Sequence, residues 1–283
     1  MPVIHINFYY VWIFDILKTV RLFTKGKYLG SADHKLEFEG NLMMINSYNN
    51  CPDSGWHYHE NSFFTFVLNG GCKEIRKAVT HESGPGDLLY FEKGIIHKNT
   101  HYTDYSRNFN LELNDKWLAD YDIQFKIDPA AFALKKCDMK FLFIQLYKEF
   151  LNPDSASSVS MNNILLQIMG NKIYEINNGT PSWVPKIKEF LNDNWATGFS
   201  LKELSVILNI HPVTISKNFS RYFGCTLGEY IRKYRIEKAL HMIRTTGLSL
   251  TDITFTCGFA DQSHFIRTFK KYTGTLPLNY RKI

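Results

Sequence analysis

Ile215-Ser216-Lys217-Asn218-Phe219-Ser220-Arg221-Tyr222-Phe223-Gly224 is written a second time, fifty residues on, as Phe265-Ile266-Arg267-Thr268-Phe269-Lys270-Lys271-Tyr272-Thr273-Gly274. Both copies hold an apolar residue, then Phe, Tyr and Gly at the same spacing. Apolar positions at i, i+4 and i+7 lie on one stripe of a helix. The glycine two residues later can take a left-handed conformation and stop that helix. Each copy follows a shorter apolar-periodic segment and a brief turn. The first is Leu201, Leu204, Ile207 and Leu208, then Asn209-Ile210-His211. The second is Leu250, Ile253 and Cys257, then Gly258-Phe259-Ala260. Short helix, tight turn and second helix make a helix-turn-helix. One such match is weak; two, each closing on Gly, are far less expected by chance.

A helix over Thr226–Thr246 joins the copies, with Thr226 as its cap and Glu229 completing a capping box. Its apolar set runs Leu227, Tyr230, Ile231, Tyr234, then restarts as Ile236, Ala239, Leu240, Ile243. The step from 234 to 236 turns the stripe by about 200°. The first half therefore packs to one side and the second half to the other. At 1.5 Å per residue the helix spans roughly 27 Å, near the roughly 34 Å of one DNA turn. A preceding helix, Val184 to Trp195, presents Ile187, Phe190 and Leu191.

With Ile215, Phe219 and Tyr222 inward, the first unit turns Val213, Thr214, Ser216, Lys217, Ser220 and Arg221 outward. The second turns out Ser263, Ile266, Arg267, Lys270 and Lys271, and Asp261 as cap puts Gln262, Ser263 and His264 in the first turn. A major groove admits the N-terminal end of such a helix. There Gln can pair with adenine and Arg or Lys with guanine, while Lys and Ser serve phosphates. The alternative, a solvated polar face, has to account for the same scaffold presenting such a face twice. The charge agrees with a polyanion partner: residues 183–283 hold 15 Lys and Arg against 7 acids, a net of +8, which leaves −2 for the rest.

Five cysteines, Cys51, Cys72, Cys137, Cys225 and Cys257, contain no CxxC pair. The odd count fits free thiols in a reducing cytoplasm. Val3 to Leu17 is apolar-rich but broken by His5, Asn7 and Asp15, too short to span a bilayer and without a basic leader. It reads as an arm or helix packed through Tyr9, Trp12, Ile13 and Ile16.

From about Lys27 to Gln124 short apolar runs alternate with Gly/Pro/Asn clusters, which argues for a sandwich or small barrel. His57 and His59 sit in Gly55-Trp-His-Tyr-His, and i, i+2 spacing in a strand sends both to one face. His97 follows Gly94-Ile-Ile. These residues, with the stretch Gly86 to Asn99, resemble the two motifs of the cupin barrel, although Lys93 stands where that family has Pro. Three imidazoles could hold a divalent metal. The carboxylate that catalytic cupins add after the His pair is missing: Phe63 and Phe64 occupy those positions. The preferred expectation is therefore no metal and no cofactor, but a barrel taking a small organic effector through His57, His59, Phe64, Phe66, Tyr90 and His97.

After Asp128-Pro129 the pattern turns helical, with Asp128 as a cap and Pro129 in the first position. One helix runs to about Leu151, a second from about Val159 to Ile176, and Asn177–Pro181 is the linker candidate. The expected organisation is an arm and sensor barrel over 1–126, a helical connector with a possible dimer contact over 127–180, and a helical domain over 183–283.

Trp183 to Arg281 resembles the DNA-binding domain of AraC/XylS-type transcription regulators. The resemblance rests on Leu201-x2-Leu204, Ile215-x3-Phe219-x4-Gly224, Tyr230-x4-Arg235-x3-Ala239 and the run Gly258-Phe259-Ala260-Asp261-Gln262-Ser263-His264-Phe265-x-Arg267-x-Phe269-Lys270-x3-Gly274-x2-Pro277-x2-Tyr280-Arg281. Departures are His211 at a cap often Ser, and Ser205 and Thr254 at positions often Ala. The resemblance implies an α+β multidomain fold, a cupin-like β-barrel followed by an all-α double helix-turn-helix domain. It implies a cytoplasmic, non-catalytic activator or repressor that binds double-stranded DNA and a small-molecule effector, and RNA polymerase if it activates, with no membrane contact and a possible homodimer. The competing class is a metal-dependent cupin enzyme with a helical appendage.

Overall fold

The computed structural model describes residues 19–76, 79–123, 129–170 and 181–283. The expected N-terminal arm, the Asp128 cap, the end of the second connector helix beyond 170 and most of the linker lie outside these residues. The chain forms two compact units, Met1–Gln124 and Phe125–Ile283.

The first unit is built of short strands. A five-stranded antiparallel sheet has the order β2 (Ser31–Phe38), β3 (Asn41–Tyr48), β10 (Ser106–Glu112), β5 (Phe63–Asn69) and β8 (Leu88–Phe91). A three-stranded sheet is ordered β7 (Val79–Glu82), β6 (Lys73–Arg76) and β9 (Lys98–Thr100). β1 (Arg21–Phe23) and β4 (His57–His59) pair in parallel. Helix α1 (Asp115–Asp120) closes the unit, capped by Asn114.

The expected cupin-like barrel is not found: among the described residues no sheet closes or curls upon itself. Closure needs one hydrogen-bonded ladder carried around the full circle with a consistent tilt and stagger. Here the large sheet ends at β2 and β8, and the small one ends at β7, all of whose residues are exposed. Strands of three or four residues, as in β1, β4 and β6 to β9, are too short to carry the stagger that closure requires. The resemblance to the cupin family and the fold class drawn from it are therefore withdrawn for this unit; a β-rich N-terminal region before a helical helix-turn-helix region stands.

Strand β3, between β2 and β10, is buried along its whole length. It tolerates Asn46 because neighbouring strands satisfy it: Thr65 Oγ1 donates to Asn110 Oδ1 at 2.7 Å, and Asn110 Nδ2 donates to Asn46 Oδ1 at 2.8 Å.

The second unit is helical: α2 (Pro129–Leu151), α3 (Ser157–Gly170), α4 (Trp183–Asn194), α5 (Leu201–Leu208), α6 (Pro212–Phe223), α7 (Leu227–Thr245), α8 (Leu250–Thr256), α9 (Gln262–Thr273) and α10 (Pro277–Arg281). One core gathers Trp183, Val184, Ile187 and Leu191 of α4 with Leu204, Leu208, Ile215, Phe219 and Phe223, and the first half of α7 packs on it through Leu227, Tyr230 and Ile231. The second half of α7 buries Ile236, Ala239, Leu240 and Ile243 and lies against α8, α9 and α10. The change of stripe at 234–236 is what lets one helix serve two cores. Helix α2 lies against α3, α7 and α9.

Candidate nucleic-acid interface and histidine cluster

Local chemistry starts and stops the two second helices in the same way. His211 caps α6, its Nδ1 accepting from Val213 N–H at 3.3 Å, and Pro212 fills the first position. Asp261 caps α9, accepting from His264 N–H at 2.7 Å. Gly224 and Gly274 end them at φ 71° and 70°, each donating to the carbonyl four residues back at 2.9 Å. Full capping boxes are rarer than expected. Thr226 accepts from Glu229 N–H, and no return bond from Glu229 is formed. The complete box is at Ser200 and Glu203 before α5, spelled in the sequence as Ser-x-x-Glu.

The scaffold sides of both helices are buried: Ile215, Phe219 and Phe223 in α6, and Phe265, Thr268, Phe269, Tyr272 and Thr273 in α9. In α6 the inward residue at the end of the stripe is Phe223, stacked on Phe219 at 4.2 Å, whereas Tyr222 is half-buried. On the other side Val213, Thr214, Ser216, Lys217, Ser220 and Arg221 are exposed, as are Ser263, His264, Arg267, Lys270 and Lys271. Gln262 and Ile266 are half-buried. Among the described residues, Lys217, Arg221, Arg267, Lys270 and Lys271 enter no ion pair. Arg221 and Lys271 lie over the rings of Tyr222 and Tyr272 at 5.7 and 5.5 Å. Two helices thus carry polar and cationic faces that no acidic side chain neutralises.

Arg235 of α7 is a residue whose role the sequence pattern did not show. Its Nε donates to Trp195 O and its Nη1 to Gly258 O, so one guanidinium joins the end of α4 to the turn of the second helix-turn-helix.

In the first unit the backbone brings three histidines together. His57 and His97 form a narrow antiparallel bridge, each N–H donating to the other's carbonyl at 2.9 Å. Residues opposed in this way project to the same face, and His59 shares that face as the i+2 neighbour of His57. All three are buried, with ring centres 4.3 Å (57–97), 5.2 Å (57–59) and 5.5 Å (59–97) apart. Burial pushes the pKa of His59 down to about 2, helped by the charges of His97 and His57, and that of His97 to about 3, again with His57 contributing. Both are neutral imidazoles at physiological pH. Phe23, Phe63 and Phe91 pack around the rings.

Not all the residues expected around an effector meet at one place. A partly open cavity of about 30 Å³ is lined by His57 and His59 together with Phe63, Thr65, Glu74 and Phe91, and His97 is not part of its lining. Strand alternation puts Phe64, Phe66 and Tyr90 outside that lining; Phe64 is fully buried and its ring meets that of Tyr90 at 5.0 Å. The space is that of about one water molecule.

The C-terminal part is thus a double helix-turn-helix domain similar to the DNA-binding domains of AraC/XylS-type regulators. The family description "Helix-turn-helix domain" matches residues 204–283. A 101-residue segment, 36% of this chain, is 32% identical to the bifunctional transcriptional activator/DNA repair enzyme AdaA of Bacillus subtilis and covers 48% of that protein. The Msm operon regulatory protein of Streptococcus mutans is 25% identical over 246 residues, 79% of this chain and 84% of that protein. The C-terminal domain of the two-component response regulator yesN from Fusobacterium nucleatum is a solved structure with 30% identity and a TM-score of 0.34, over 36% of this chain and 99% of its own. The chain spans about half the length of the first of these relatives. Among the described residues no helix is long and apolar enough to cross a membrane.

Proposed function

We propose that the protein is a sequence-specific transcription regulator that binds double-stranded DNA through α6 and α9. The N-terminal unit is its sensor of a small species. The observation that carries this reading is the repetition itself. Two helices with matching caps, matching glycine stops and matching buried stripes both leave un-neutralised cations on their outer face. A structural role would need neither the duplication nor the unpaired charge. In this reading Gln262, Ser263, His264 and Arg267 meet base edges in one groove and Val213, Thr214, Ser216 and Lys217 in the next. Ser220, Arg221, Lys270 and Lys271 meet phosphates. The target lies in the cytoplasm, where five free thiols are stable; contact with RNA polymerase belongs to the activator form of the same reading, and pairing of two chains is compatible with either form.

The test is retention of DNA. Purified full-length protein is mixed with sheared genomic duplex, the retained fragments are sequenced, and one is titrated by mobility shift against a scrambled duplex. Enrichment of a shared motif and a specific affinity about a thousandfold or more above the scrambled duplex are expected. Equal affinity for both duplexes would overturn the reading.

A further inference from the structure

We propose that His57, His59 and His97 form a three-imidazole site for one late first-row divalent cation, and that this cation is the species the N-terminal unit senses. The second half of the statement rests on the sensor reading above; the first half stands on geometry. Among the described residues this is the one cluster of three or more His, Cys, Asp or Glu whose ligand atoms converge, all lying within 4.8 Å of one another.

Two of the rings are already oriented for a metal. His57 Nδ1 lies 3.0 Å from Gly55 O, and His97 Nδ1 lies 3.0 Å from Ile95 O. Each carbonyl takes the Nδ1 proton of a neutral ring, so the lone pair rests on Nε2. Backbone carbonyls that hold a ring in this way are the usual outer support of a ligating histidine. His97 Nε2 is buried and has no hydrogen-bond partner. An acceptor left bare in an apolar site is unfavourable, which a cation would offset.

The spacing fits. A metal about 2.05 Å from a ring nitrogen stands about 3.2 Å from the ring centre, and bond angles between 90° and 109° then separate the centres by about 4.5–5.2 Å. The observed separations run from 4.3 to 5.5 Å. Two of the three separations thus lie about 0.2–0.3 Å outside the bound range, a difference that binding would have to close by ring rotation. Size also decides between occupants. The cavity beside His57 and His59, about 30 Å³ and not lined by His97, has room for a water or hydroxide as fourth ligand and is far below the ~300 Å³ of a site for an organic ligand. The donor set decides among ions. Three neutral nitrogens, with the Glu74 carboxylate of the same cavity paired to Arg76 and outside the converging set, suit zinc(II), cobalt(II), nickel(II) or copper(II), and are poor partners for magnesium or calcium, which need oxygen.

The experiment strips full-length protein with a chelator and titrates it with zinc(II), cobalt(II) and magnesium(II). Expected are one equivalent of zinc or cobalt per chain, intense visible bands from low-symmetry cobalt(II), and no magnesium binding. His59→Gln and His97→Gln lose the equivalent, while His34→Ala at an exposed position keeps it. X-ray absorption on zinc-loaded wild type gives a second measurement independent of any variant, with three imidazoles at about 2.0 Å expected. Absence of a stoichiometric equivalent, or a first shell lacking imidazole, overturns the site. Zinc is then added during mobility-shift titration of the retained duplex. At least a fivefold change in affinity is expected, and an unchanged affinity overturns the sensing claim. Failure of the DNA reading is distinguishable, since no specific duplex would then be retained with or without metal.

Discussion

Arg235 Nη1 donates to the carbonyl of Gly258 at 2.6 Å while its Nε donates to the carbonyl of Trp195 at 3.0 Å. One planar group thus spans from the first helix-turn-helix core to the turn of the second. Bonds from an ionised donor contribute about 1.5–3 kcal/mol each, and removing the donor leaves two carbonyls short of a partner. Arg235→Met keeps much of the side-chain volume. It is expected to destabilise the second unit by about 2–4 kcal/mol in urea unfolding. Arg235→Lys, a single point donor, should recover less than half.

Gly258 adds a steric constraint at the same place. It sits at φ 74°, and a Cβ there would come within 2.6 Å of Ala196 O and 2.9 Å of Arg235 Cζ. The first is backbone and cannot swing away. Gly258→Ala is expected to cost about 1–3 kcal/mol and to displace the turn before α9. Specific DNA affinity should fall at least tenfold. Gly247→Ala is the control: a Cβ there meets nothing within 4 Å, and stability and affinity should hold.

Base reading and phosphate binding separate by salt. Arg267 is exposed at the middle of α9 and Lys270 in its last turn. Arg267→Ala should weaken specific binding by about 1–3 kcal/mol and relax preference at one base pair. Lys270→Ala should lower affinity for specific and scrambled duplexes alike and reduce the salt slope by about 1. Mobility-shift titrations at several salt concentrations check both; the two variants showing the same profile would refute the division of roles.

Cys257 gives the domain an alkaline limb. The thiol is fully buried, its Sγ 3.8 Å from Met242 Sδ. Burial pushes its pKa from 9.0 up to about 12, with Arg235 pulling the other way. The unfolded chain therefore loses this proton first. The contribution of the neutral thiol is fully present below pH 9 and is lost as pH rises from 9 toward 12, at about 1.4 kcal/mol per pH unit. The difference in urea stability between wild type and Cys257→Ala should shrink above pH 9. A difference constant to pH 10.5 would exclude the effect.

The helical domain was legible because its signals are local. Caps, glycine stops and i, i+4, i+7 stripes are spelled within a dozen residues, and the pattern occurs twice. The reading was incomplete where side chains one residue apart share the core: Tyr222 packs on its margin, and Phe223, not expected there, is the buried end of the α6 stripe. In the β unit the histidine pair was legible from its period of two, but two aspects were not. Whether strands close into a barrel depends on pairing between distant segments, and the pairing leaves open edges at β2, β7 and β8. Which aromatic faces the cavity depends on the phase of alternation, and Phe63 rather than Phe64 holds that phase. The Asn46–Asn110–Thr65 network has no local signal at all, since its members come from three strands.

The fastening of α2 to α7 gives the last prediction. Lys140 Nζ and Glu237 Oε1 are 2.8 Å apart with side chains only 10% and 20% exposed, and beside them Lys233 Nζ meets Asp138 Oδ1 at 2.8 Å. Helix α2 also reaches α9 itself: Gln145 Nε2 donates to Tyr272 O at 2.9 Å, and Phe141 stacks on the Tyr272 ring. Taking away one member of a buried pair strands the other charge, which costs about 3–5 kcal/mol when burial is complete. Partial exposure here lowers the expected cost of Glu237→Gln to about 2–3 kcal/mol. Lys140→Met combined with Glu237→Leu removes both charges and should recover most of the loss. A double-mutant cycle in urea is expected to give a coupling of about 1–3 kcal/mol. Because α2 touches both the central helix and the second recognition helix, Glu237→Gln should also weaken specific DNA binding, and the double variant should restore it. A coupling near zero would mean that α2 is merely adjacent to the DNA-binding domain and does not brace it.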